Sequence, residues 1–275
     1  MKTKTLVLSI VLPLLIIIAG MVIYVTSLFS VSGDVSVQIS VDEGQVSING
    51  DLLKSSIELD REDIVETGPG SRATLILYDS IIIVLEENTR IKIDDLTKEH
   101  PKIIQESGET WNQFTKISGV EAYSVSYGDN VASVRGTSFK LNKDKIVVGE
   151  GEVEYKVKDK VFKVTKGQVV ENVNGEIIER EANSVEKTEI EKGYKESIDK
   201  LKELRQKEID KNKKIVNLLK KQFDFTDEDI RETLDSADNG EIDLRELAEK
   251  SPIKTNSIEK IIRITEKIKE LDSEI

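Results

Sequence analysis

Twelve residues near the end of the chain, Asp235-Ser-Ala-Asp-Asn-Gly-Glu-Ile-Asp-Leu-Arg-Glu, carry oxygen donors at spacings that suit a calcium ion. Asp235 stands first, Asn239 fifth, Asp243 ninth and Glu246 twelfth, with Gly240 at the sharp turn, Glu241 beside it and Ile242 eighth. Ala237 occupies the third position, where an oxygen ligand belongs. Losing one of about six or seven oxygens weakens such a site sharply, and no second copy is present to pair with it. The plainer reading of the stretch is a glycine-containing turn between two helices.

Little else in the sequence has the spacing of a catalytic centre. The only histidine, His100, lies in a Lys-Glu-His-Pro turn among charged neighbours, where a Ser-His-Asp or two-histidine metal arrangement has nothing to close around it. Adjacent carboxylates occur at Glu86-Glu87 and Asp94-Asp95, but at this acidic density such pairs arise by chance. No glycine-rich phosphate loop precedes a helix. With no cysteine, disulfides, thiol catalysis and Cys-ligated zinc are excluded. The chain is expected to be a binding protein, not an enzyme, with no cofactor beyond the calcium option.

The elements that would position a binding surface are strands. Asp129 to Leu141 (DNVASVRGTSFKL) alternates, but Val134 and Gly136 fall on one face while Phe139 and Leu141 fall on the other, so the pleat changes phase near Gly136. A β-bulge at Gly136 is the expected cause, flanked by Arg135 and Thr137 bonding the backbone groups that the broken ladder frees. Arg135 is expected to bond carbonyls there or to pair with a carboxylate. Trp111, the only tryptophan, is expected to anchor the core rather than to face a ligand.

At 275 residues the chain can hold one good-sized core with an appendage, or two modest domains. Its formal charge of -12 repels nucleic-acid phosphates, so no nucleic-acid partner is expected. Leu6 to Val25 is an uncharged, predominantly apolar run of about the 20 residues that span a bilayer. It exceeds the usual signal-peptide core of about 7–15 residues and lacks an Ala-x-Ala site, which favours an uncleaved anchor. Lys2 and Lys4 precede the span and Asp34, Asp42 and Glu43 follow it, so a single-pass topology is expected, with a short cytoplasmic N-terminus and the bulk of the chain extracytoplasmic.

From residue 34 to 182, short Val/Ile/Leu/Thr runs alternate with turns such as Asn49-Gly50, Thr67-Gly-Pro-Gly, Asp159-Lys160 and Asn174-Gly175, the pattern of an all-β domain. Ser80 to Leu85 is continuously apolar and reads as a strand buried on both faces. Glu66-Thr-Gly-Pro-Gly-Ser-Arg-Ala-Thr-Leu-Ile-Leu, Glu87-Asn-Thr-Arg-Ile-Lys-Ile, Glu106-Ser-Gly-Glu-Thr-Trp-Asn, Val131-Ala-Ser-Val-Arg-Gly-Thr-Ser-Phe, Val147-Val-Gly-Glu-Gly-Glu-Val and Lys166-Gly-Gln-Val-Val together resemble the FecR domain family in order and spacing. Asp79-Ser80-Ile81 and Ser126-Tyr127-Gly128 depart from the family's usual turns. The resemblance implies a β sandwich or solenoid-like body in which Trp111, Arg135, Gly136, Thr137 and Phe139 are motif residues of the fold. It also implies a role in envelope signalling. The family's sigma-factor control is not implied, because it uses a cytoplasmic segment for which the sequence offers no counterpart.

Beyond residue 182 the chain turns helical. Glu191/Lys195, Glu196/Lys200, Glu203/Lys207 and Asp210/Lys214 are favourable i,i+4 pairs, and Ile190, Tyr194, Ile198, Leu201 and Leu204 form one apolar stripe. Residues 183–224 are expected to be a charged amphipathic stalk, and 225–275 a small helical domain. A capping box at Thr226/Asp229 opens the latter. It resembles an EF-hand in the loop already described, and a helix-turn-helix in the spacing of Leu244, Leu247, Ala248, Ile253, Ile258 and Ile261 around Pro252. The expectation is therefore a mainly β protein with an N-terminal transmembrane helix and a helical C-terminal region. It would bind a protein or an envelope polymer at the membrane as sensor or scaffold. The alternatives are a membrane-tethered transcription regulator with cytoplasmic C-terminal helices, and a calcium-responsive module.

Overall fold

Eighteen strands and four helices follow one another in a computed structural model that describes residues 37–54, 56–214, 216–217, 220, 226–250 and 255–275. The expected membrane span at Leu6–Val25 lies outside the described residues, as do Val35, Pro252 and Ile253. Among the described residues no helix is long and apolar enough to cross a membrane. The chain divides into two units: residues 34–205 with 262–275, and residues 1–33 with 206–261.

The first unit is built on two nine-stranded sheets. Sheet A runs β18 (Glu176–Glu181), β17 (Gln168–Val173), β14 (Lys145–Glu150), β13 (Thr137–Leu141), β10 (Thr110–Phe114), β7 (Ile81–Leu85), β6 (Arg72–Leu77), β1 (Val37–Glu43), β4 (Ile57–Glu58). Sheet B runs β16 (Lys160–Thr165), β15 (Glu152–Val157), β12 (Asn130–Val134), β11 (Tyr123–Tyr127), β9 (Lys102–Ser107), β8 (Arg90–Asp95), β5 (Ile64–Thr67), β2 (Val46–Ile48), β3 (Asp51–Leu52). From β6 onward the chain lays down one or two strands in one sheet and then crosses to the other, so both sheets grow from the same end. Pairing is antiparallel except for β9 and β11, which run parallel because β10 crosses to sheet A between them. Asn49-Gly50 and Asn174-Gly175 both adopt positive φ, giving the tight hairpins their sequences demand. The turn expected at Asp159-Lys160 sits one residue earlier, at Lys158-Asp159, since Val157 pairs with Lys160.

The alternation of each strand divides its side chains between two cores. Ile81, Ile83 and Leu85 of β7 face sheet B, as do Leu75 and Leu77 of β6 and Ile146 and Val148 of β14. Their neighbours Ile76, Ile82, Val84 and Val147 point the other way, into a second core under the helices. This is why β7 is apolar throughout, and all five of its residues are buried. Sheet B has one buried face only, and β15 accordingly alternates exposed and buried residues along its whole length.

Within the inter-sheet core runs a chain of polar side chains. Tyr123 Oη donates to Asn112 Oδ1 (2.9 Å), Asn112 Nδ2 to Thr110 Oγ1 (2.9 Å), and Thr110 Oγ1 to Gln105 Oε1 (2.9 Å). Gln105 Nε2 ends it on the Gly108 and Leu141 carbonyls (3.1 and 3.3 Å). Burial holds the Tyr123 phenol firmly protonated, so it stays a donor. Tyr123→Phe should therefore cost about 1–3 kcal/mol, because Asn112 is left with an unpaired oxygen. Tyr194 offers the contrast: its buried hydroxyl has no hydrogen-bond partner among the described residues, and Tyr194→Phe should leave stability unchanged or raise it. Urea midpoints of the two variants, compared with the parent, check the difference.

The helix α1 (Ser184–Lys211) does not behave as the stalk its charge suggested, because through Arg205 it belongs to the β body. Ile190, Tyr194, Ile198, Leu201 and Leu204 fill the second core against sheet A. A helix advances about 1.5 Å per residue and strands lie about 4.8 Å apart, so a helix crossing a sheet meets a new strand about every three residues. From β14 to β1 the ion pairs keep that average, with β10 meeting the helix through Trp111 at Gly193 instead of through a charge. Glu186 meets Lys145 of β14 (2.8 Å), Glu189 meets Lys140 of β13 (3.1 Å), and Lys192 meets Glu86 just after β7 (3.3 Å). Glu196 then meets Arg72 of β6 (2.7 Å) and Lys200 meets Asp42 of β1 (2.8 Å). Glu196 and Lys200 were expected to pair with each other. Both turn instead toward the sheet, where opposite charges stand at the matching spacing.

Beside α1, the residues of α4 (Asn256–Asp272) from Ile262 onward add Ile264, Ile268 and Leu271 to the same core. Lys267 pairs with Glu150 and, at 3.0 Å, with Glu270, while Arg205 Nη1 donates to Thr265 Oγ1 at 2.9 Å. The body thus has three layers, with helices on the far side of sheet A from sheet B. In the other unit, α2 (Asp227–Asp238) opens on the expected Thr226/Asp229 capping box, both halves formed, and α3 (Leu244–Lys250) follows. Glu208 and Lys260 pair there at 2.9 Å.

Candidate functional site

Of the five motif residues, four are consumed by the fold. Trp111, 4% exposed, lies in the helix-facing core, not between the sheets. Its Nε1 donates to Ser197 Oγ (2.9 Å), and its ring stands edge-on to Tyr194 with centroids 5.8 Å apart. Phe139 is fully buried between the sheets. Gly136 and Thr137 sit where the chain passes from β12 in sheet B to β13 in sheet A. The phase change read as a bulge is therefore a change of sheet.

Gly136 takes φ +110, and a Cβ on Gly151, at the neighbouring crossing from β14 to β15, would stand 2.6 Å from the Gly136 carbonyl. Two glycines thus let adjacent crossings stack, and Thr137 Oγ1 ties them by donating to the Glu152 carbonyl (3.1 Å). The pleat cannot distinguish a bulge from a crossing, since both invert which face the next residues meet.

Arg135 is the exception. It bonds no carbonyl and pairs with no carboxylate among the described residues, and it is exposed beside the crossing. It belongs to a wider open surface, the outward side of sheet B at its β16 end. There Ser124 and Ser126 of β11 and Val131 and Ser133 of β12 are half-buried, while Glu154 and Lys156 of β15 are exposed. Ser124 and Ser133 hydroxyls approach to 3.2 Å across the strands. On the edge strand β16, Val161 is 59% exposed. Lys163 touches Glu152 at 3.5 Å, both solvent-exposed, a pair worth little. Glu152 and Glu154 of β15 offset Lys156 and Lys158, whereas β16 and the residue after it carry Lys160, Lys163 and Lys166 and no Asp or Glu, a basic edge strand on an acidic chain. The sequence held this signal in its lysine spacing, but only the topology puts the strand at a sheet edge.

The calcium-like loop closes differently from its spacing. Helix α2 continues through Asp238, so Asp235 lies in its last turn, its carbonyl taken by the Asn239 N–H (3.0 Å). Gly240 makes the turn at φ +77. Asp243 Oδ1 accepts from the Arg245 and Glu246 N–H groups (2.8 and 3.3 Å) and so caps α3, with Glu241 and Glu246 exposed. Among the described residues no group of three or more His, Cys, Asp or Glu gathers as a metal site. His100 is an exposed turn residue.

Comparison with known proteins places the β body. Two crystal structures of a proposed anti-sigma factor from Parabacteroides distasonis, at 2.50 and 1.65 Å, match 44% of this chain at 18% identity and a TM-score of 0.39. The match spans 60% of those chains, less than two thirds of their length. No curated protein matches the chain. Residues 63–170, from the residue before β5 into β17, match the model of the FecR protein family, and this part of the chain is a FecR domain.

Proposed function

We propose that the chain is a membrane-anchored, extracytoplasmic FecR-domain protein that binds a protein partner in a regulatory signalling role and does not catalyse a reaction. The observation that carries the reading is the inequality of the two sheets. Sheet A is covered on its outer face by the chain's own helices, whereas sheet B leaves Ser124, Ser126, Val131, Ser133 and Lys156 accessible at its β16 end. A rigid body with one face occupied and the other open suits docking. The FecR domain supports a signalling context, and the apolar run Leu6–Val25 supports the anchor.

A photo-crosslinking residue at Ser126 is expected to give a discrete protein adduct in intact cells, whereas one at Glu191, on the solvent side of α1, is not. Equal labelling at both positions, or none at Ser126, Ser133 and Lys156 alike, overturns the reading. A reporter fused after Ile275 checks the location: activity that depends on export is expected, and cytoplasmic fluorescence contradicts it.

A further inference from the structure

We infer that the edge of sheet B at β16 is a docking strand for an extended, acidic segment of another protein, which adds to the sheet as a tenth strand. The inference rests on the binding reading above and deepens it. Among the described residues β16 pairs only with β15 and ends its sheet. Its two-residue turn makes Val157/Lys160 a hydrogen-bonded pair. By antiparallel alternation Lys160, Phe162 and Val164 then spend their N–H and C=O groups on β15, while Val161, Lys163 and Thr165 aim theirs outward.

Thr165 confirms that phase, since its N–H is taken by Gln168 Oε1 at 2.9 Å. Val161 and Lys163 thus present two donors and two acceptors at strand spacing. Lysines on an edge usually deter pairing with like edges, and exposed apolar residues there favour pairing. This edge has both: β16 carries Lys160 and Lys163 and no Asp or Glu, with Val161 at 59% exposure between them, while Glu152 and Glu154 lie one strand inward on β15. The combination rejects neutral and basic strands and admits one whose glutamates or aspartates alternate with apolar residues.

The test uses the full chain in detergent micelles and a fluorescent eight-residue peptide alternating Glu and Val. Saturable binding is expected, weakening several-fold as salt is raised, with at least tenfold loss in Val161→Pro. Proline at 161 removes only an outward N–H and leaves the β15 ladder whole, so far-UV circular dichroism should be unchanged. Where that variant misfolds, the parent chain with a peptide N-methylated at alternate amides serves instead, and it should not bind. Equal binding of a Lys-Val peptide, or no loss in Val161→Pro or with the methylated peptide, overturns the inference.

So does self-association of the unliganded chain that Val161→Pro abolishes, which would assign the edge to a second copy through Glu176, Glu179 and Glu181 on β18. A failed peptide with crosslinks retained at Ser126 removes the edge alone. Failure of both removes the binding reading.

Discussion

Gly193→Ala is expected to destabilise the chain by about 1–3 kcal/mol, the usual result of overpacking, although in an exposed helix the same change stabilises by about 0.5–1 kcal/mol. The reversal comes from Trp111. A Cβ on Gly193 would stand 2.4 Å from the Cδ2 and Cε2 atoms of the indole, well inside contact distance. The ring has nowhere to go. Its Nε1 is tied to Ser197 Oγ, which donates in turn to the Gly193 carbonyl (2.8 Å), and a Cβ on Gly149 at the ring's far end would already lie 3.2 Å from Cη2.

Trp111→Ala alone should cost about 3–5 kcal/mol, the range for emptying a large aromatic site. In that background Gly193→Ala should become neutral or stabilising, since the obstacle is gone and only helix propensity remains. Urea unfolding of the four proteins, followed by far-UV circular dichroism because two of them lack the sole tryptophan, measures the coupling. Strict additivity would mean that the glycine is not there to admit the indole.

That pair also marks how far the sequence could be read. Strand alternation and turn residues located most of the sheet elements, because both signals are local: Val153, Tyr155 and Val157 point inward whatever the neighbours are. The double burial of β7 was legible for the same reason, a run of five apolar residues that no half-exposed strand could carry. The short strands β3 and β4, two exposed residues each, and β5, four residues long, are too short for a period to appear in the sequence.

What lay beyond the sequence was the destination of α1. Its stripe of Ile190, Tyr194, Ile198, Leu201 and Leu204 was visible, but its abundant Glu and Lys read as a solvated surface. Those charges are answered by Lys140, Arg72 and Asp42, which lie between 49 and 158 positions away in the chain. The same limit hid the open edge at β16, since a strand's pairing on one side says nothing about its other side. Among the motif residues Arg135 differs from the rest in facing solvent, which composition and spacing do not reveal.

Glu186→Ala should be the most damaging single charge removal, costing about 3–5 kcal/mol, as expected when one partner of a buried ion pair is deleted. Its side chain is 2% exposed and holds the start of α1 to the sheet. It accepts from Arg180 Nη1 and Nη2 (2.7 and 2.9 Å), from Lys145 Nζ (2.8 Å) and from the Asn183 N–H (3.0 Å), while Asn183 Oδ1 caps the Glu186 N–H in return (3.0 Å). Arg180 above all, with Lys145 and the Asn183 N–H adding to it against the opposing effect of burial, holds the carboxyl at about 2. In the unfolded chain it titrates near the ordinary glutamate value of about 4.3.

The unfolded state therefore takes up the proton first, and the stabilisation present above about pH 4.3 is lost as pH falls toward 2. Glu186→Gln removes this titration and keeps the shape. The stability gap between the parent and Glu186→Gln should be widest at neutral pH and close steadily between about pH 4.3 and 2. A gap that stays constant from pH 7 to 2 in urea titrations would show that Glu186 is not ionised in the fold, and that its contacts with Arg180 and Lys145 do not hold the start of the helix to the sheet by charge.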